Sequence, residues 1–155
     1  MTEQEAFNRL AALCAASEHC RHDVMEKMRR WQLSDDACRR VTDRLVDARY
    51  IDETRYCRAF VSDKTEYAKW GKLKIAQALR MKRIPDEMAE NALSALDDET
   101  QLSVLRPLLE RKEREIRDTD AWNRRQKLVR YAAGRGFEMR VICRCLDCRE
   151  DVYDD

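Results

Sequence analysis

The segment RHDVMEKMRRWQLSDDACRRVTDRL (residues 21–45) lies over KLKIAQALRMKRIPDEMAENALSAL when the chain is shifted by 51 residues. A further shift of 53 lays it over RQKLVRYAAGRGFEMRVICRCLDCR. An internal repeat of this length constrains the fold strongly, because every copy must build the same supersecondary unit. The apolar slots coincide: Val24 with Ile75 and Leu128, Met28 with Leu79 and Ala132, and Leu33 with Ile84 and Phe137. Cys38 meets Ala89 and Ile142, and Val41 meets Ala92 and Cys145. The last slot holds Leu45 and Leu96 but Arg149 in the third copy, which predicts a frayed end there.

The spacing within each copy is helical. Phe7, Leu10, Ala11 and Cys14 follow an i, i+3, i+4, i+7 pattern, and Met88, Ala89, Ala92, Leu93 and Leu96 do much the same. Ser34 is expected to cap a helix whose first turn holds Asp35 and Asp36, and Asp52 one that passes through Tyr56. Pro85 suits a first helical turn. No alternating strand is evident, and 3 Gly with 2 Pro leave few turns for a strand-rich fold. Each copy reads as helix, turn, helix, preceded by a further helix over 3–16, 54–69 or 101–117. One copy of about 50 residues buries too little surface alone, so neighbours must pack on one another. The expected fold is all-α: a tandem array of three three-helix repeats, elongated and curved, running as one helical array over 1–155. Repeat one covers about 1–50, repeat two 51–98 and repeat three 99–149, with an acidic tail at 150–155.

Charge is dense and balanced, 31 basic against 30 acidic residues, yet it is sorted locally. Gly71 to Ile84 carries Lys72, Lys74, Arg80, Lys82 and Arg83 without an acid; Pro85 to Asp98 carries Asp86, Glu87, Glu90, Asp97 and Asp98 without a base. The break falls at a turn, so one helix is basic and the next acidic. Copy three repeats the basic half with Arg124, Arg125, Lys127, Arg130 and Arg135, whereas copy one mixes Arg21, Lys27, Arg29 and Arg30 with Asp23 and Glu26. Recurrence of basic middle helices predicts a docking stripe for something negative. On a helical wheel Lys72, Arg80 and Arg83 share one arc, while Lys74 and Lys82 project elsewhere. Tyr67, Trp70 and Trp122 flank these helices, and filling the packing between repeats is their expected role. The run ERKEREIRD (110–118) alternates in sign, as an exposed helix does.

Seven cysteines, Cys14, Cys20, Cys38, Cys57, Cys143, Cys145 and Cys148, are an odd number, and MTEQEAFNRL has no apolar signal segment. The expectation is a reduced, cytoplasmic chain without a membrane span. Cys145 with Cys148 and His19-Cys20-Arg21-His22 contain zinc-ligand types, but Cys38 and Cys145 fall on apolar slots, so ordinary core thiols are expected and no metal. Asp97-Asp98-Glu99 reads as a linker and helix start, and no phosphate-cradling glycine loop is present. Neither histidine has a nucleophile or carboxylate partner in sequence, so no enzyme and no cofactor are expected.

RYIDETRYCRAFV (49–61), WGKLKIAQALRMKRI (70–84) and KLVRYAAGRGF (127–137) resemble, in order, three segments of the RecX regulatory proteins. The resemblance runs from about Ser17 to Cys148. Arg49 stands where that family usually has Gly, and Arg83 replaces the Gly before Ile84. Either Arg83 takes a left-handed conformation, at a strain of ~1 kcal/mol, or the turn there differs from the family's. The resemblance implies tandem three-helix repeats and a non-enzymatic regulator in DNA repair, homologous recombination and the SOS response. Such a regulator binds the RecA recombinase filament on single-stranded DNA and modulates, usually inhibits, its ATPase and strand exchange. The expected partners are that filament and the single-stranded DNA backbone, with this chain a monomer. Lys72, Lys74, Arg80, Lys82, Arg124, Arg125, Lys127 and Arg130 are the candidate contacts, taken from charge pattern and repeat position. The alternative is a helix-turn-helix repeat protein that binds DNA directly, without a recombinase.

Overall fold

The structure is a computed structural model that describes residues 1–153, with side chains through Asp147. Cys148, Arg149 and the acidic terminus at 150–155 therefore lie outside the described side chains. The described residues form helices only: α1 (Glu3–Ala16), α2 (Arg21–Arg30), α3 (Asp35–Asp47), α4 (Glu53–Glu66) and α5 (Lys72–Met81). They continue with α6 (Asp86–Leu93), α7 (Asp98–Glu115), α8 (Ala121–Gly134) and α9 (Met139–Tyr153). None of them is long and apolar enough to cross a membrane.

Helix starts follow local chemistry. Ser34 Oγ accepts the Ala37 amide at 3.2 Å, and Asp52 Oδ1 accepts the Arg55 amide at 3.1 Å. Asp97 accepts the Thr100 amide at 2.8 Å and so opens α7 three residues before the sequence pattern does. Pro85 stands one place earlier than expected: its carbonyl accepts the Ala89 amide, which makes it the residue before α6. Helix α4 stops at Glu66, short of the expected 69, because Lys69 turns the chain with φ 58°.

The three copies end their middle helices identically. Gln32, Arg83 and Gly136 occupy one repeat position, and all three have left-handed backbone, φ 65°, 57° and 95°. Each amide bonds three residues back, to Arg29, Arg80 and Ala133. The next amide bonds five back: Leu33 to Met28, Ile84 to Leu79, Phe137 to Ala132. This is the Schellman closure of a helix, which favours glycine at the left-handed place. Arg49 (φ 63°) closes α3 in the same way, its amide reaching Val46 and that of Tyr50 reaching Leu45. Because α5 ends at Met81 and Arg83 is left-handed, the shared arc of Lys72, Arg80 and Arg83 drawn on a continuous wheel does not extend to Arg83.

The chain groups into two compact units. One comprises Met1–Phe60 with Leu79–Ala92, the other Val61–Ala78 with Leu93–Asp155. In the first, Leu10, Val24, Met28, Cys38, Val41, Leu45 and Ile51 are the centre of an apolar cluster. In the second, Leu102, Leu105, Leu109, Leu128, Ala132, Phe137, Ile142 and Cys145 do the same. The repeat slots are thus the core. Dense charge is used between helices of a unit: Glu3 of α1 holds Arg40 of α3, while Asp98 and Glu99 of α7 hold Arg140 (2.8 Å) and Arg144 (2.6 Å) of α9.

A candidate partner-binding surface

The expected contact residues meet different fates. Lys82 Nζ sits 2.6 Å from Asp23 Oδ1, and Asp23 also accepts the Cys20 amide at 3.4 Å. Burial works to raise the Asp23 carboxyl, but the Lys82 and Cys20 bonds outweigh it and hold that carboxyl below its usual range. The same bond raises Lys82. Arg124 turns back on its own chain: its guanidinium donates to the carbonyls of Glu113 (3.1 Å), Ile116 (3.0 Å) and Asp118 (2.9 Å). It closes the C-terminus of α7, whose last carbonyls have no partner within the helix. Arg125 reaches Asp147 at 3.1 Å and Lys127 reaches Asp118 at 3.6 Å. Arg80 and Arg130 are exposed and make no ion pair among the described residues.

Lys72 and Lys74 belong to the start of α5, which is tied firmly to its surroundings. The Gly71 and Leu73 amides donate to the carbonyls of Arg135 (2.8 Å) and Gly136 (2.9 Å), and the Lys72 amide donates to Gln101 Oε1 at 3.0 Å. The first amides of α5 are therefore satisfied by protein. Lys74 Nζ lies 4.7 Å from the centre of the Trp70 ring, and Lys64 Nζ lies 4.6 Å from it.

The aromatics do not all pack as expected. Trp70 is half-buried, but Tyr67 is 76 % exposed and Trp122 66 % exposed. Tyr67 is the first residue past the end of α4, following exposed Glu66, and so stands away from the buried side to which Thr65 belongs. Lys64, Lys69 and Arg135 are cations of this region that lay outside the expected contacts. Lys64 and Lys69 fall beside Asp63 and Glu66, so a search for acid-free runs passes over them. Arg135 donates to the carbonyls of Ala68 and Lys69, the latter at 3.2 Å, and so braces the turn after α4.

Cys14, Cys20, Cys38, Cys57 and Cys145 are buried thiols, and burial pushes those of Cys20 and Cys57 up to about 11. Among the described residues no three of His, Cys, Asp and Glu stand together to hold a metal ion.

Residues 52–93 match the model of the second three-helix domain of RecX, and residues 99–146 match that of the third. The regulatory protein RecX of Prosthecochloris aestuarii is 31% identical over 144 residues, 93% of each chain. That of Chromobacterium violaceum is 28% identical over 149 residues, covering 95% of this chain and 93% of the other. The crystal structure of RecX from Lactobacillus salivarius has the same fold, with a TM-score of 0.83 over 94% of each chain at 21% identity. With a repeat frame, a fold and a near full-length relative in agreement, the chain belongs to the RecX family of regulatory proteins.

Proposed function

We propose that this chain binds the RecA recombinase filament on single-stranded DNA and lowers its ATP turnover and strand exchange, acting as a cytoplasmic monomer without a chemical step of its own. The observation that carries this reading is family membership along 93% of the chain, through the regulatory protein RecX of P. aestuarii. Exposed cations add a physical means. Arg80 and Arg130 make no ion pair among the described residues, so they are available to a negative surface. Lys72 and Lys74, at the start of α5, are further candidate contacts, in the same compact unit as Arg130. Lys82, Arg124, Arg125 and Lys127 hold intramolecular partners and contribute by keeping helices in place.

The test is ATP hydrolysis by RecA on single-stranded DNA with this protein added substoichiometrically. A fall in turnover is expected. Unchanged turnover, with no co-sedimentation on the filament, overturns the reading.

A further inference from the structure

We infer that Tyr67, Lys69 and the Lys64–Trp70–Lys74 stack form a subsite for single-stranded DNA, with an unpaired base on the Tyr67 ring and phosphates on the lysines. All five residues belong to one compact unit, so the cluster does not depend on how the two units are arranged. Tyr67 is the most exposed aromatic side chain among those large apolar residues that face solvent, at 76 %. A ring left this open contributes little to the core but presents a flat face to water. The two amines within 5 Å of the Trp70 centroid, at 4.6 Å and 4.7 Å, concentrate positive charge three residues away in sequence.

The turn that carries these groups is held rigid. The Tyr67 amide bonds to Asp63, the Trp70 amide to Lys64 and the Gly71 amide to Arg135, while Arg135 in return clamps the Ala68 and Lys69 carbonyls. Lys69 has φ 58°, a backbone that glycine adopts without strain, yet the position holds an exposed cation. Asp63 and Glu66 are the neighbouring acids on α4, so a phosphate approaches from the Lys69 side.

Aromatic faces beside cations are the chemistry of single-strand recognition, where bases stack and phosphates pair with amines. A duplex hides its base faces, and an acidic protein segment has use for the lysines but none for an open tyrosine ring. This inference goes beyond filament regulation and is tested on naked DNA, so a null ATPase result leaves it standing and its own failure leaves the filament reading standing.

The experiment is fluorescence anisotropy of a labelled oligothymidine at several salt concentrations, with the full chain, Tyr67→Ala, Tyr67→Phe and Lys69→Gly. Wild type is expected to bind, with affinity falling as salt rises. Tyr67→Ala is expected to weaken binding at least about fivefold with an unchanged circular dichroism spectrum, while Tyr67→Phe keeps it. Lys69→Gly is expected to flatten the salt slope by about 0.7, the share of one phosphate on a single strand. A duplex of equal length is expected to bind more weakly and to be indifferent to Tyr67. Equal binding of wild type and Tyr67→Ala to oligothymidine overturns the subsite, as does the lack of any binding at low salt. Displacement by polyglutamate that ignores Tyr67 overturns it in favour of an acidic protein contact.

Discussion

The backbones of Gly71 and Gly136 run so close together that a Cβ on Gly71 would stand 2.4 Å from the carbonyl carbon of Gly136 and 2.4 Å from the Phe137 nitrogen. Those atoms are backbone and cannot swing aside. The approach lets the Gly71 and Leu73 amides reach the end of α8. Gly71→Ala is expected to destabilise the chain by about 2 kcal/mol or more, through steric overlap and loss of these bonds. Urea denaturation followed by circular dichroism reads it; a loss below about 0.5 kcal/mol would show that the two segments separate easily.

The left-handed turns offer the opposite effect. Gln32 and Arg83 hold the place that glycine fills in the third copy. Replacing either by Gly is expected to stabilise by up to about 1 kcal/mol, since the side chain is exposed and the Cβ strain is removed. Gln32→Ala and Arg83→Ala keep the Cβ and are expected to gain nothing. Thermal melts of the four variants compare them directly, and equal melting of Gly and Ala variants would contradict the strain argument.

Asp23 and Lys82 predict a pH dependence. The folded Asp23 carboxyl lies below its ordinary 3.8, so its contribution is complete above that value and is lost as pH falls through the carboxylate range. Lys82 is raised above 10.5, so its contribution is complete below that value and is lost as pH climbs past it. With the Lys82 side chain 38% exposed, solvent screening limits the pair, and Lys82→Met is expected to cost about 1 kcal/mol at neutral pH. Asp23→Asn is expected to flatten the acid limb of the stability profile. An acid limb as steep as wild type would exclude Asp23 as a source of it.

Two arginines of α8 separate structural from partner-facing charge. Arg124→Ala is expected to lower stability by about 1–3 kcal/mol, because the carbonyls of Glu113 in α7 and of Ile116 and Asp118 just beyond it lose a guanidinium donor. Arg130→Glu is expected to leave the melting temperature within a degree or so of wild type yet weaken co-sedimentation with RecA filaments. Intact filament binding by Arg130→Glu together with Arg80→Glu would remove both from the interface.

What the sequence by itself determined is local or periodic. Helix starts at Ser34 and Asp52 and the core slots from Val24 to Cys145 were legible, because capping and apolar spacing act within a few residues, whereas the sequence left the turn at Arg83 open between a left-handed residue and a different turn. The surface was not legible. Lys82 meets Asp23 from 59 residues away, and Arg135 reaches Ala68 across 67. Charge runs do not reveal which cations such distant partners hold, nor do aromatic counts reveal that Tyr67 faces water. Helices came from local order; the identity of the charges and rings left open to a partner was decided only when tertiary packing brought distant residues together and excluded water around some of them.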